Sequence, residues 1–495
     1  MVEGKTVRVL PQGATKKSES ADRERFVIDG TGALPQALRH LMNSPNPDRT
    51  LPHPGSPSLS AEEQRLTMRT VTWRLLPLLF VCYIIAYIDR INVGFAKLHL
   101  REVLGVSEDK FNSAYGLGAG LFFIGYFIFE VPSNLILQRV GARIWIARIM
   151  ILWGIVSAGF MFLQGTTMFY GMRFLLGAAE AGFFPGVILY LTYWFPVKER
   201  ARTVALFATG AVLAGVIGSP ISGALLEMHG VGGLAGWQWL FLLEAVPAVG
   251  LGIVVLIVLP NRPQEARWLT AAQKDWIETR LAEDAIATPH GQGHSLAHIF
   301  RSRRVWLLCL LYFLMNVGGY GYELWLPTII KSFSTTSSFV LGTINAIPYF
   351  AAGVAMLLVA RFSDRTGERR GVVAVAAISS AAGFALSAYF TNPYLAMASL
   401  TLAFIGLKCT IAPFWAMTTA FLGGTAAAAG IAFINSVGNL GGFAGPYLVG
   451  IVKESTGSNV AALLLLGASL LCMGLLALVL PKTAQNQGSL HAKSA

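Results

Sequence analysis

Charge is what this sequence has least of. Asp, Glu, Lys and Arg make up only 13% of its 495 residues, about half the roughly 25% usual for soluble domains. With 54% hydrophobic residues, that excludes an ordinary water-soluble globule. Cysteine is scarce as well: Cys82, Cys309, Cys409 and Cys472 lie far apart in apolar stretches, which argues against a disulfide framework or a thiolate metal site. Histidine is missing from the middle of every apolar run, so a histidine proton relay is not expected. His290, His294 and His298 have the spacing of metal ligands, but Gly291 and Gly293 interrupt any helix there. With no nucleophile and base set and no metal motif, the chain is not expected to be an enzyme or to need a cofactor.

Long apolar runs fill the space that charge leaves. They recur at about 72–95, 112–136, 144–163, 167–191, 203–226 and 238–260, then at 305–331, 339–361, 371–391, 394–420, 426–451 and 459–480. Each matches the roughly 20 residues a membrane-spanning helix requires, so the expected fold is an all-α membrane protein with 12 transmembrane helices in two six-helix bundles. The expected organisation is a disordered extension over 1–66, a first bundle over 67–260, a polar linker over 261–304, a second bundle over 305–482 and a tail over 483–495. No apolar core of signal-peptide length precedes the first span, which is therefore expected to act as the targeting signal. Within the linker, Ala271 to Glu283 reads as one amphipathic helix.

The 38 basic residues outnumber the 26 acidic ones, and in a membrane protein this excess points to cytoplasmic loops rather than nucleic acid. Arg139, Arg143, Lys198, Arg200, Arg202, the linker cations, Arg361, Arg365, Arg369 and Arg370 all fall on even-numbered connections. Odd connections carry few, mainly Lys97, Arg101, Lys110, Lys331 and Lys453. The positive-inside rule then places both termini and the linker in the cytoplasm, and the expected location is the bacterial inner membrane.

An internal repeat supports the division into halves. Gln138-Arg139-Val140-Gly141-Ala142-Arg143 follows the second span and Asp364-Arg365-Thr366-Gly367-Glu368-Arg369 the eighth, with Arg139 and Arg365 at the same separation as Gly141 and Gly367. Two six-span halves repeated in parallel are what the major facilitator superfamily is built from. The turn resembles that superfamily's cytoplasmic signature loop, which implies a gating latch formed by Arg139, Arg143, Asp364, Arg365 and Arg369. Gln138 stands where Asp is expected, and Glu130 or a backbone carbonyl is the expected substitute.

Charges within the spans are the informative residues, because each costs at least about 2.5–3.5 kcal/mol at mid-bilayer and must face protein or water. Asp89 and Arg90 lie in the first span, Arg173 and Glu180 in the fourth, Glu323 and Lys408 in the second half. Arg173 and Glu180 are seven residues apart, on one helix face. A guanidinium binds a carboxylate as a bidentate fork, so Arg90 and Arg173 point to a small organic anion, unless the pairs are structural. Glu323 and Lys408 either pair with each other or leave Lys408 to meet a second carboxylate of the ligand.

Asp89-Arg90-Ile91-Asn92, Glu130-Val131-Pro132-Ser133-Asn134, Arg173 through Gly182 and Asn435-Ser436-Val437-Gly438-Asn439-Leu440-Gly441-Gly442 together resemble the anion:cation symporter family, over about residues 65–482. The resemblance implies proton-coupled uptake of a carboxylate, such as a hydroxy-dicarboxylate, sugar acid or aromatic acid, by alternating access. It makes Asp89 and Glu180 the proton carriers and Arg90 the anion ligand. Arg173 tunes Glu180 or binds anion, and Tyr87, Tyr126, Trp415, Asn435 and Asn439 line the cavity. A monomer in lipid, with the anion and protons as its only partners, is the expected state. Gly210 to Gly223 resembles a fifth-span motif associated with antiporters, so an anion exchanger or proton-driven exporter is the alternative. Gly116-Leu117-Gly118-Ala119-Gly120 reads as close helix packing, not a phosphate loop.

Overall fold

The computed structural model describes residues 59–287, 301–332, 336–421 and 426–480. Most of the expected extension, the three spaced histidines and the expected tail lie outside these residues. The described secondary structure is helical throughout, and eleven helices are long and apolar enough to cross a membrane. The six spans of the first half are Ala61–Leu104, Glu108–Val140, Ala142–Phe162, Gly165–Thr192, Arg202–Leu226 and Gly236–Val258. Those of the second half begin with Arg303–Ser332, Ser338–Thr366, Arg370–Tyr389 and Pro393–Phe421 and end with Asn459–Val479. The remaining segment, the eleventh in order, is two helices, Ala426–Asn439 and Gly441–Thr456. Neither piece reaches a full span alone, and together they complete the twelve.

The first helix starts before the expected bundle boundary at 67. Ser60 caps it: its hydroxyl accepts from the Glu63 N–H while the Glu63 carboxylate accepts from the Ser60 N–H at 2.8 Å, a reciprocal box that ties off two otherwise unpaired donors. At 44 residues it is about 66 Å long at 1.5 Å per residue, twice the roughly 30 Å of a hydrocarbon core. The linker helix runs from Ala271 to Ala287, a turn beyond its expected end.

Within the first half, the third span packs along the sixth, the second along the fourth, and the first against the fifth and sixth. The second half repeats this with the ninth against the twelfth and the seventh against the eleventh. The halves meet along the second and eleventh spans, the fifth and eighth, and the first and seventh. Without a hydrophobic drive between helices in lipid, small residues set how closely backbones approach. A Cβ on Gly116 would stand 2.6 Å from the Pro446 carbonyl oxygen, and one on Gly120 would stand 2.9 Å from that of Phe443. Gly342 abuts the Ser219 carbonyl and Gly223 that of Ser338. All of these contacts lie towards the end that carries the odd-numbered connections, so the halves are clasped there.

The two signature turns differ. In the second, Arg369 pairs with Asp364 at 2.7 Å and donates to the Ser363 hydroxyl at 3.0 Å, while Gly367 takes the left-handed φ of 69° that the turn demands. In the first, Asn261 from beyond the sixth span stands in: its side-chain oxygen accepts from the Arg143 backbone N–H at 3.0 Å, while its side-chain nitrogen donates to the Glu265 carboxylate at 3.2 Å. Gly141 has φ 95°, and a Cβ there would meet that oxygen at 2.8 Å. The expected substitute, Glu130, is engaged elsewhere, and the exposed Arg139 makes no ion pair among the described residues.

Candidate functional site

The first span supplies the centre of the site. Ile88 and Ile91 bury one face against the core, leaving Tyr87 and Arg90 to face the seam between the halves and Asp89 to turn into the first bundle.

Arg90 ion-pairs with Glu180 of the fourth span through Nη2, and through Nη1 donates to the Tyr320 hydroxyl of the seventh span at 3.1 Å. Its guanidinium lies 5.3–5.8 Å from the ring centres of Phe122, Tyr126 and Tyr87, within reach of a cation–π interaction. The Arg90 side chain keeps 12% of its surface exposed, whereas Glu180 keeps 2%. Glu180 is the last residue of its helix; the chain then turns through Gly182, at φ 86°, into Phe183–Thr192. A Cβ on Gly182 would meet Ser133 Cβ at 2.7 Å, so glycine there both allows the turn and seats the fourth span against the second.

Lys408 and Glu323 pair across the second half at 2.6 Å, and the Tyr87 hydroxyl crosses from the first half to donate to the other Glu323 oxygen at 2.8 Å. Of the two readings of these residues, the structure shows the ion pair. Arg90 and Lys408 both lie close to the Tyr87 ring, 5.8 and 5.7 Å from its centre. Two cations, each already holding a carboxylate, thus flank one tyrosine at the junction of the halves.

Glu130 of the second span makes a third crossing, accepting from the Asn435 amide at 2.8 Å and the Ser436 hydroxyl at 2.9 Å. Trp415 is half-buried and packed edge-on against Tyr312 at 5.1 Å. Asn439 is half-buried in the eleventh span beside the break at Leu440.

One expectation is narrowed and another, that of Lys97, is corrected. The Arg173 guanidinium donates to the Ala119 carbonyl at 3.0 Å and the Gly118 carbonyl at 3.4 Å and is 1% exposed, while it shares the Phe122 ring with Arg90 and acts electrostatically on Glu180. The close approach of the second and fourth spans, where Gly177 abuts the Phe122 carbonyl, brings backbone oxygens within reach of the Arg173 Nε and Nη2. Lys97, read as a connection residue, is part of the first helix and 3% exposed. Its ammonium lies 3.4 Å from the centre of the Trp325 ring and donates to Asn112 at 3.1 Å.

Asp89 also faces away from Arg90. It accepts from Trp153 at 2.8 Å, Ser157 at 3.2 Å and Asn92 at 3.4 Å. Sequence reasoning missed Tyr320 and Glu244. Tyr320 carried no charge to draw attention, but Glu244 is an acid inside the sixth apolar run and the rule for intramembrane charge applies to it directly.

At the odd-numbered end two carboxylates accept backbone N–H groups from helices of the opposite half. Glu227, just past the fifth span, accepts from the Phe339 N–H at 2.8 Å at the start of the eighth. Glu454, at the end of the eleventh, accepts from the Ser113 N–H at 3.1 Å near the start of the second. Donors from Phe339 and Ser337 hold the Glu227 carboxyl below the usual carboxylate range.

A family model described as the Major Facilitator Superfamily matches residues 79–446 and 329–494. A protein of Agrobacterium vitis provisionally named a tartrate transporter is 51% identical over 84% of this chain and 92% of its own length. One of Acinetobacter baumannii, named a quinolone resistance transporter, is 42% identical over 82% of this chain and 92% of its own. Among solved structures, the xylose transporter of Escherichia coli in a partially occluded inward-open conformation superposes with a TM-score of 0.69. That likeness covers 84% of this chain and 100% of the other at 14% identity, and shows the fold alone.

Proposed function

Since the chain belongs to the Major Facilitator Superfamily and is a multi-pass membrane transporter rather than an enzyme, we propose that it takes up a small organic anion together with protons. The observation that carries this reading is the Arg90–Glu180 pair. Arg90 is the cation with surface to spare at the junction of the halves, and Glu180 occupies the place a substrate carboxylate would take. An arriving anion exchanges with Glu180 at Arg90. The displaced Glu180, buried and without a cation, becomes far more costly as an anion than as a neutral acid, so it takes a proton. Anion binding and proton binding are then one event.

The second cation supports a dicarboxylate as the substrate class. Lys408 is held on the far side of Tyr87 by Glu323, so a ligand with a carboxylate at each end spans both cations, in keeping with the relative named for tartrate. Tyr126, Tyr320 and Asn435 supply ring faces and hydrogen bonds around it. The family resemblance also assigns a proton to Asp89. Two protons are the least a dicarboxylate needs: each of its negative charges is opposed by about 2.3 kcal/mol per 100 mV in a negative-inside cell, and two protons cancel both.

Both termini are assigned to the cytoplasm of the bacterial inner membrane, from the basic even-numbered connections. The clasped odd-numbered end is then the outer side, and the conformation is closed outward. An exporter or exchanger is the second reading, favoured by the relative named for quinolone resistance and by the Gly210–Gly223 motif. The test is uptake of a panel of mono- and dicarboxylic acids into proteoliposomes with and without an imposed proton gradient. Gradient-dependent accumulation of a dicarboxylate supports symport, and a requirement for internal counter-anion supports exchange.

A further inference from the structure

Glu244, on the sixth span, has no part in the mechanism above and is only 5% exposed. The Ser222 hydroxyl of the fifth span donates to its Oε1 at 2.7 Å, while Oε2 is buried without a hydrogen-bond partner. The spans packed against it present few ionisable groups. The first brings Asp89 and the Asn92 amide, which interacts with both acids. The third brings Trp153 and Ser157, both donating to Asp89, and the fifth brings Ser222. No cation pairs with Asp89 or Glu244 among the described residues: Arg90 is bound to Glu180, and Arg173 to carbonyls of the second span.

Two buried carboxylates sharing one amide and no cation cannot both be ionised, because the second charge meets both desolvation and its neighbour's repulsion. Hydrogen bonding decides which keeps the charge. Apart from the shared amide, Asp89 accepts from two donors, Trp153 and Ser157, whereas Glu244 accepts from Ser222 alone, and a carboxylate gains from each donor it has. A proton on Oε2 also makes Oε1 the carbonyl oxygen, the role in which it accepts from Ser222. The Asn92 side-chain oxygen is likewise buried without a partner.

We propose that Glu244 is a second proton-binding residue of the first bundle, holding a proton beside ionised Asp89 and forming with it, around Asn92, a one-proton pair separate from the anion site. The pair deepens the proton-coupled reading of Asp89, on which its place in transport rests, but the proton on Glu244 stands on burial and hydrogen bonding alone.

Infrared spectra of the full chain in lipid vesicles at neutral pH read the proton directly, through the carbonyl stretch of a protonated carboxyl group. E244Q should lose one such band relative to the wild type, and D89N should retain it. S222A should move it to higher wavenumber, since a hydrogen bond to the carbonyl oxygen is lost, and that variant serves if E244Q does not fold. An E244Q spectrum that superposes on the wild type, a band lost in D89N, or a band unmoved in S222A overturns the proposal. Vesicles that accumulate no acid under a proton gradient would sink the symport reading and leave these spectra unaffected.

Discussion

Arg90 and Glu180 hold each other across the first and fourth spans, while Arg90 also reaches Tyr320 on the opposite half. One guanidinium therefore joins a titratable acid and the two halves, and it is the proposed anion ligand. R90A should bind the transported anion about 10- to 150-fold more weakly, the equivalent of the roughly 1.5–3 kcal/mol of a hydrogen bond to a charged group. R90K should recover little of it, because an ammonium lacks the planar fork. Calorimetric titration of the purified protein checks both.

Lys408 and Glu323 form a buried ion pair, and breaking one side leaves the other charge exposed to a dry interior. K408M and E323Q are each expected to cost about 3–5 kcal/mol, and the double variant K408M/E323L far less, since removing both charges is often near neutral. Thermal unfolding in detergent distinguishes the two patterns. Tyr87 bonds both members, so Y87F should weaken the pair without dissolving it.

The glycine contacts between the fifth and eighth spans set how tightly the odd-numbered end closes. A side chain at Gly342 must push on the Ser219 backbone, so G342V should hold that end apart while leaving each bundle folded. Spin labels on Met228 and Lys331 should report a longer and broader distance distribution in G342V than in the wild type.

Glu227 adds a pH dependence to the same closure. Its carboxyl is depressed by the donors it accepts from, so its contribution is fully present above the ordinary value of about 4.3 and is lost as pH falls through the lowered one. Closure of the odd-numbered end should accordingly weaken only in strongly acid solution, and E227Q should remove that part of the dependence. Distances from the same two labels, followed over pH in wild type and E227Q, check it.

Much of the architecture was legible because membrane burial writes itself into composition: twelve apolar runs, a polar break and basic even-numbered connections map onto the helices found. Charge inside an apolar run also marked Arg90, Glu180, Glu323 and Lys408 correctly as residues that need partners. What the pattern could not carry was direction. Arg173 shares a helix face with Glu180, yet Gly177 and its neighbours let the second span approach so closely that backbone carbonyls take the guanidinium. Lys97 looked like a loop cation because nothing local showed the first helix continuing to Leu104 or Trp325 lying over its ammonium. Tyr320 reaches Arg90 only once the halves are assembled, and no spacing along one chain encodes that contact.

The central claim is that an anion arriving at Arg90 makes Glu180 take a proton. Proton uptake on binding tests it most directly: the purified transporter in weakly buffered solution is mixed with a transported dicarboxylate, and a pH-indicator dye records the change. The wild type should take up protons as the anion binds, and E180Q should bind the anion with that uptake removed. Binding to the wild type with no proton uptake, or undiminished uptake in E180Q, would contradict the account.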